Sequence, residues 1–328
     1  MKAYAIESSG GPEVLQLRDI PSVAPQADEV RIRVRAFGLN RAEVYRRAGK
    51  MGPITAPVVL GIEAVGEVLE DASGTFRTGQ RVATAMGGLQ FSRAGSYAEE
   101  VTVLRSNVVD LDGTTLSWEE LAALPESYIT VWGALGRLID ATPGQTLLVR
   151  GASSSVGQAG VAYAKARGLR VVATTRSTEN AGRLTAIGAD AVVIDSSEIA
   201  VQLRAAAPQG IDVALEVVGA STVRDSLKAL KPFGTTVVIG LLGGAPVLES
   251  LHLMNDLPAA TRLSFFPSGL FGGAALPAAD APLKWIAGQV ASGAMPSLRV
   301  QTFDFDEVRR AHSLIESDRA IGKLVVTV

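Results

Sequence analysis

The sequence predicts an α/β protein in two parts, a β-rich, partly open barrel followed by a doubly wound parallel sheet. Three observations carry that expectation. "EVRIRVRAFGLN" alternates Val30, Ile32 and Val34 with Arg31, Arg33 and Arg35, the period-two pattern of a half-buried strand. Later in the chain, nearly all-apolar runs alternate with amphipathic segments, the signature of a parallel sheet covered on both faces. Finally, "TLLVRGASSSVGQAGVAYAKARG" reads as strand, small-residue turn and helix in that order.

The elements follow from these patterns. "GIEAVGEVLE", "QRVATAM" and "SYAEEVTVL" are further short strands of the first part, punctuated by Gly and turn residues. The texture changes at "SWEELAALPESYITVWGAL", where Ser117 caps a helix start and Glu119 and Glu120 lie in its first turn. Strand "QTLLVRG", a helix ending at Gly168 and strand "RVVATTR" come next. They are followed by "ENAGRLTAIGA", "DAVVID", "IAVQLRAAA", "IDVALEVV", "RDSLKALK" and "GTTVVIGLL". The tail holds two helices, the second at "FDEVRRAHSLIES", and a closing strand "KLVVTV" that is expected to rejoin the first part. The expected boundaries are 1–122 with 266–328 for the first domain and 123–265 for the second.

A chain of 328 residues is long enough for two domains with substantial cores. The net charge is −2 and there is no basic block, which argues against nucleic acid as a partner. No apolar run approaches the roughly 20 residues that span a bilayer. "MKAYAIESSGG" lacks the apolar core of a signal peptide, so a cytoplasmic location is expected. The absence of cysteine rules out disulfides, a thiolate nucleophile and any thiolate metal site. His252 and His312 are isolated in sequence, so no metal site is expected.

The turn after "TLLVR" raises the central question. A dinucleotide fingerprint places glycines where this chain has Gly151, Ser154 and Gly157, so the strict motif fails at its middle position. Small residues still fill the turn (Ser153, Ser154, Ser155), and a helix expected to begin near Val156 presents free N–H groups and a positive dipole end. Taken alone, the turn fits either a pyrophosphate cradle or a tight connection with no ligand. The next strand discriminates. Where NAD-binding sheets carry an acid for the ribose 2′-hydroxyl, this chain has Thr175, Arg176 and Ser177, a set suited to a 2′-phosphate. NADPH is therefore the expected cofactor.

With these residues on the page, the chain resembles the zinc-independent quinone oxidoreductase (zeta-crystallin-like) branch of the medium-chain dehydrogenase/reductase superfamily. The motifs run from end to end: "GGPEVLQLRDIP", "VRAFGLNRAEVYRRAG", "VVLGIEAVGEV", "GQRVA", "GSYAEEV", "AALPESYITVWGAL", the serine turn, "GADAVVID" and "AIGKLVVTV". The resemblance implies a GroES-like β-barrel catalytic domain interrupted by a Rossmann domain, with the cofactor between them, in a homodimer. By position it implies that Asn40 and Tyr45 line the nicotinamide pocket and serve catalysis, and that Thr130 packs near the nicotinamide. It likewise implies that Gly240, Leu241 and Leu242 border the ring, and that Arg319 and Lys323 reach the cofactor. Phe265 and Phe266 stand where some relatives carry an arginine, which implies a more apolar substrate pocket.

Departures from the family pattern sharpen the chemistry. Zinc alcohol dehydrogenases of the superfamily carry Gly-His-Glu where this chain has Gly61-Ile62-Glu63. With Ile62 and no cysteine, a catalytic zinc cannot be assembled, and Glu63 reads as a structural carboxylate. Hydride transfer then rests on cofactor and positioning, and the acceptor must already be electrophilic: a quinone or an α,β-unsaturated carbonyl. Tyr45 is the candidate group for the developing oxyanion or its proton. The alternatives are a cofactor-binding protein without physiological catalysis, crystallin-like or redox-sensing, and an enoyl reductase in a biosynthetic pathway.

Overall fold

The alternation in residues 29–38 is realised as the strand Glu29–Gly38, with Val30, Ile32 and Val34 buried and Arg33 exposed. The structure, a computed structural model, describes every residue except Ser197, Glu198, Ala259, Ala274, Asp318, Arg319 and Ile321. The chain divides into two units. One comprises Met1–Ile129, Gly269–Gly293 and Ser297–Val328; the other comprises Thr130–Ser268 and Ala294–Pro296.

In the first unit Glu29–Gly38 pairs antiparallel with Glu63–Asp71, Glu100–Leu104 and the closing strand Lys323–Thr327. The closing strand therefore returns to this unit as expected, and Arg299–Asp304 adds to it in parallel. A smaller three-stranded sheet holds Gln16–Asp19, Lys2–Ile6 and Val58–Val59. Ile6, Leu15, Val30, Ile32, Phe37, Leu60, Tyr97 and Phe303 meet in one buried cluster, and Phe37 stacks on Tyr97 with ring centroids 4.4 Å apart.

The second unit is built on six parallel strands. In chain order these are Thr146–Arg150, Arg170–Thr175, Ala191–Ile194, Ile211–Glu216, Leu230–Val238 and Arg262–Phe265. They lie side by side in the order third, second, first, fourth, fifth, sixth. The direction of winding reverses between the first and fourth strands, and such a switch point leaves a crevice at the strands' carboxyl ends. Every residue of Thr146–Arg150 is buried, as a central strand requires. Among the described residues no helix is long and apolar enough to cross a membrane.

The units change over at residues 129/130 and 268/269, a few residues beyond the positions read from the sequence, and local hydrogen bonds account for the difference. "SWEELAALPESYITVW" does not form one helix. Ser117 caps Trp118–Leu121 through a bond from the Glu120 N–H, and a second helix, Pro125–Trp132, starts at a proline. That start leaves the Glu126 N–H free to donate to Glu63 Oε2 at 2.8 Å, which holds residues up to 129 to the first unit. At the other end the Phe266 N–H donates to the Val238 carbonyl at 2.9 Å, continuing the parallel ladder past residue 265.

Candidate functional site

The serine turn follows the first strand of the parallel sheet, on the crevice side of the switch point. Its helix is Ser155–Ala166, with Ser154 as the capping residue. The Ser154 hydroxyl accepts from the Gly157 N–H at 3.1 Å and donates to the Gly151 carbonyl at 2.9 Å. Its single proton is thus committed within the turn, so Ser154 replaces a glycine by bracing the loop. A Cβ on Gly157 would lie 2.5 Å from the Gly151 carbonyl oxygen and 2.8 Å from the Ala152 Cα, so the helix can approach the turn this closely only through glycine. The N–H groups of Ser153, Ser155 and Val156 take no part in the described hydrogen bonds and lie on a part-exposed surface. Donors of this kind at a helix start form an anion cradle.

The second strand lies beside the first. Thr174 binds the turn directly: its carbonyl accepts from the Ala152 N–H at 3.0 Å and its Oγ1 from the Gly151 N–H at 3.2 Å. Thr175 Oγ1 accepts from the Ser177 N–H at 3.3 Å and shapes the turn that follows. Arg176 is exposed, and none of the described hydrogen bonds or ion pairs engages its guanidinium. This turn beside the cradle therefore presents an unneutralised cation and no strand-end carboxylate. The sequence reading missed Arg150, which ends the first strand. It is buried and grips Asp195 at two points, 2.5 and 2.7 Å, tying the ends of the first and third strands together.

Of the remaining expected residues in this unit, Thr130 is buried in the helix Pro125–Trp132. Gly240, Leu241 and Leu242 follow the fifth strand, with Leu241 against the core and Leu242 exposed. Phe265 ends the sixth strand with its ring exposed, whereas Phe266 is buried.

In the first unit, Asn40 precedes the helix Arg41–Arg47, which carries Tyr45, half-buried. The Asn40 side chain is closed on all sides. Its Nδ2 donates to Glu43 Oε1 (3.2 Å) and Glu63 Oε1 (2.8 Å), and its Oδ1 accepts from Lys323 Nζ (2.5 Å). Lys323, expected to reach the cofactor, is buried in the closing strand with its ammonium 2.5 Å from Glu63 Oε1. Arg319 lies outside the described residues. Glu43 returns a carboxylate oxygen to the Asn40 N–H (2.8 Å) and accepts from the Ile62 N–H (3.2 Å). Ile62 itself, standing where zinc enzymes carry histidine, is buried.

Two carboxyls and one ammonium thus share an enclosed site. Burial pushes the Glu43 carboxyl up to about 8; the charge of Glu63 adds to the rise and the Lys323 ammonium opposes it. A Cβ on Gly38 would lie 2.3 Å from Lys323 Cε and 2.5 Å from Glu63 Oε1, so the cluster also needs a glycine in the adjacent strand. A second buried chain lies in the same unit. Arg47 donates through Nε to His312 Nδ1 (3.3 Å), and His312 Nε2 meets the Tyr97 hydroxyl (3.1 Å). Because Nδ1 accepts, the ring proton sits on Nε2, and burial, together with the Arg47 charge, pushes the imidazole down to about 3. Glu43 was the legible part of this: Asn40-x-x-Glu43 has capping-box spacing. Nothing local pointed to His312 or Arg47.

Comparison with known proteins fits this geometry. Residues 26–113 match the alcohol dehydrogenase GroES-like domain family, and residues 155–273 match the zinc-binding dehydrogenase family. A quinone oxidoreductase of Rattus norvegicus is 34% identical over 225 residues, 66% of this chain and 66% of the relative. The chain spans between 54% and 66% of the length of the first curated relatives it matches. A solved NAD-dependent alcohol dehydrogenase superposes over 100% of both chains with a TM-score of 0.86 at 27% identity. A mycobacterial protein solved in complex with NADPH does so over 100% of both chains with a TM-score of 0.85 at 25% identity. The first unit is therefore of GroES-like type and the second of Rossmann type. The two solved relatives differ in cofactor.

Proposed function

The chain belongs to the quinone oxidoreductase branch of the medium-chain dehydrogenase/reductase family, and from that premise we propose that it is an NADPH-dependent oxidoreductase reducing a quinone or an α,β-unsaturated carbonyl without a metal. The observation that carries this reading is the serine turn with its three uncommitted N–H groups, followed at the next strand end by the exposed, unpaired Arg176. The residues fit the cofactor. Ser153, Ser155 and Val156 would hold the pyrophosphate through backbone N–H groups, and Gly157 keeps the helix start close. Arg176 would take the 2′-phosphate, with Thr175 and Ser177 shaping its turn.

NADPH, when bound, supplies a hydride from its nicotinamide, leaving as NADP⁺. An enone acceptor would take that hydride at its β-carbon and a proton at its α-carbon, so the chain's part would be to stabilise charge on the carbonyl oxygen and to supply the proton. Tyr45 is the proposed proton source or oxyanion donor. Asn40, locked by Glu43, Glu63 and Lys323, acts by fixing the start of the helix that carries Tyr45. Thr130 and residues 240–242 are proposed to border the nicotinamide. The metal-free reading rests on donors: the sequence has no cysteine, and Ile62 replaces the histidine, so no Lewis acid of the zinc-enzyme type can be assembled. A cytoplasmic homodimer belongs to the same reading.

The test is NADPH oxidation with 1,4-benzoquinone, 9,10-phenanthrenequinone and a 2-alkenal, before and after chelator treatment. Turnover should survive chelation. Tyr45→Phe should lower enone reduction by about 10²–10⁴ while affecting quinone reduction less, since quinol oxygens take protons from water. Loss of activity on chelation sinks the metal-free reading. Tight NADPH binding with no turnover on any acceptor makes this a cofactor-binding protein instead.

A further inference from the structure

We infer that the acceptor carries an anionic group, which is held by Arg46 and Lys50 beside Tyr45; the inference rests on the reductase reading above and names the substrate class for it. The helix bearing Tyr45 ends in a cationic turn, "YRRAGK". Arg47 points inward to His312 and Glu316. The other two cations behave differently. The Lys50 ammonium sits 5.5 Å from the centroid of the Tyr45 ring, and the Arg46 guanidinium 5.8 Å from that of Phe91.

Neither Arg46 nor Lys50 has a carboxylate partner among the described ion pairs. In the same unit, by contrast, Arg18, Arg31, Arg35, Arg77, Arg93 and Arg105 are each matched to an acid. Arg46 uses Nη1 alone, on the carbonyls of Met51, Gly52 and Pro53 (3.4, 3.2 and 3.3 Å), and so fixes the loop that follows Lys50. Its Nε is buried with no acceptor. A donor out of water and without a partner is costly, and an anion in reach removes that cost.

The surroundings are equally specific. Phe91 is 46% exposed and Met51 42% exposed, two large apolar side chains on a surface where two cations lack counter-charge. A helix C-terminus favours cations in its last turn, but that preference does not seat each on an aromatic ring or leave Arg46 Nε orphaned. Together the residues fit an amphipathic anion: its reactive carbonyl at Tyr45, its apolar body against Phe91 and Met51, and its charge at Arg46 and Lys50. Redox balance is that of the hydride transfer already given, because the anionic group is bound and not transformed.

The experiment compares 4-(4-carboxyphenyl)but-3-en-2-one with its neutral carboxamide in NADPH oxidation by the full chain. The charge is remote from the alkene, and comparing variants with wild type cancels intrinsic reactivity. Wild type should favour the carboxylate in kcat/KM by about tenfold at low salt, a preference that shrinks at high ionic strength. Arg46→Gln and Lys50→Gln should each cut the carboxylate-to-carboxamide ratio several-fold, mainly through KM. A ratio unchanged within twofold in both variants overturns the inference and leaves the reductase reading standing. If wild type reduces neither compound, the reductase reading fails for this acceptor class. Calorimetric titration of the two compounds into NADPH-loaded protein then decides the inference. Tighter carboxylate binding that is lost in the variants supports it, and equal or undetectable binding overturns it.

Discussion

The turn at 151–157 and the cluster around Lys323 are both dense in polar groups, yet they are built in opposite senses. In the turn, the Ser154 and Thr174 side chains bond to backbone groups of Gly151 and Gly157, and the backbone donors of Ser153, Ser155 and Val156 are left at a part-exposed surface. In the cluster, Asn40, Glu43, Glu63 and Lys323 are buried, and the bonds of each run mainly to the other three. The first arrangement has donors to offer a ligand. In the second the polar groups engage one another, and the Asn40–Glu43 bonds hold the start of the helix Arg41–Arg47. A polar residue in a family motif therefore does not announce which kind it is; the state of its partners does.

The sharpest way to break this comparison is to fill the turn. Gly157→Val puts carbon against the Gly151 carbonyl and the Ala152 backbone, neither of which can swing away. NADPH binding, followed by cofactor fluorescence, should fall below detection. A folded Gly157→Val protein that binds NADPH normally removes the turn from the site.

The cluster should respond in stability. Lys323→Met leaves two buried carboxyls without their ammonium, a change that typically costs about 3–5 kcal/mol. Urea denaturation should show that loss, and Lys323→Met combined with Glu63→Gln should recover part of it. A loss under about 1 kcal/mol contradicts a closed ionic cluster. NADPH affinity measured on the same variant then reports whether the lysine also serves the cofactor.

The smallest effect expected is the most selective. Arg176→Ala removes one exposed cation beside the turn and should weaken NADPH by roughly 10- to 150-fold, the worth of a charge-assisted contact, while NADH binding changes little. Equal weakening of both cofactors shows that Arg176 does not read the phosphate.

Much of this molecule was legible in one dimension. The period-two run at 29–38, the alternation of apolar strands with helices, and the strand-turn-helix around Gly157 depend on neighbours in sequence, and burial enforces them locally. The absence of cysteine and the presence of Ile62 likewise decide donor chemistry without any coordinates. What the sequence left undetermined depends on partners far along the chain. The fate of Lys323 is decided by Asn40, 283 positions away, and by Glu63, and His312 is held neutral by burial together with the charge of Arg47, 265 residues distant. The Ser154 hydroxyl bonds the Gly151 carbonyl and the Gly157 N–H, partners that only the closed turn brings within reach. Arg150 gave no signal in the sequence, because its partner Asp195 meets it only across the folded sheet. Local pattern determines which elements form; only the folded chain decides which polar atoms are consumed and which remain for a ligand, because hydrogen-bond partners are chosen by distance in space.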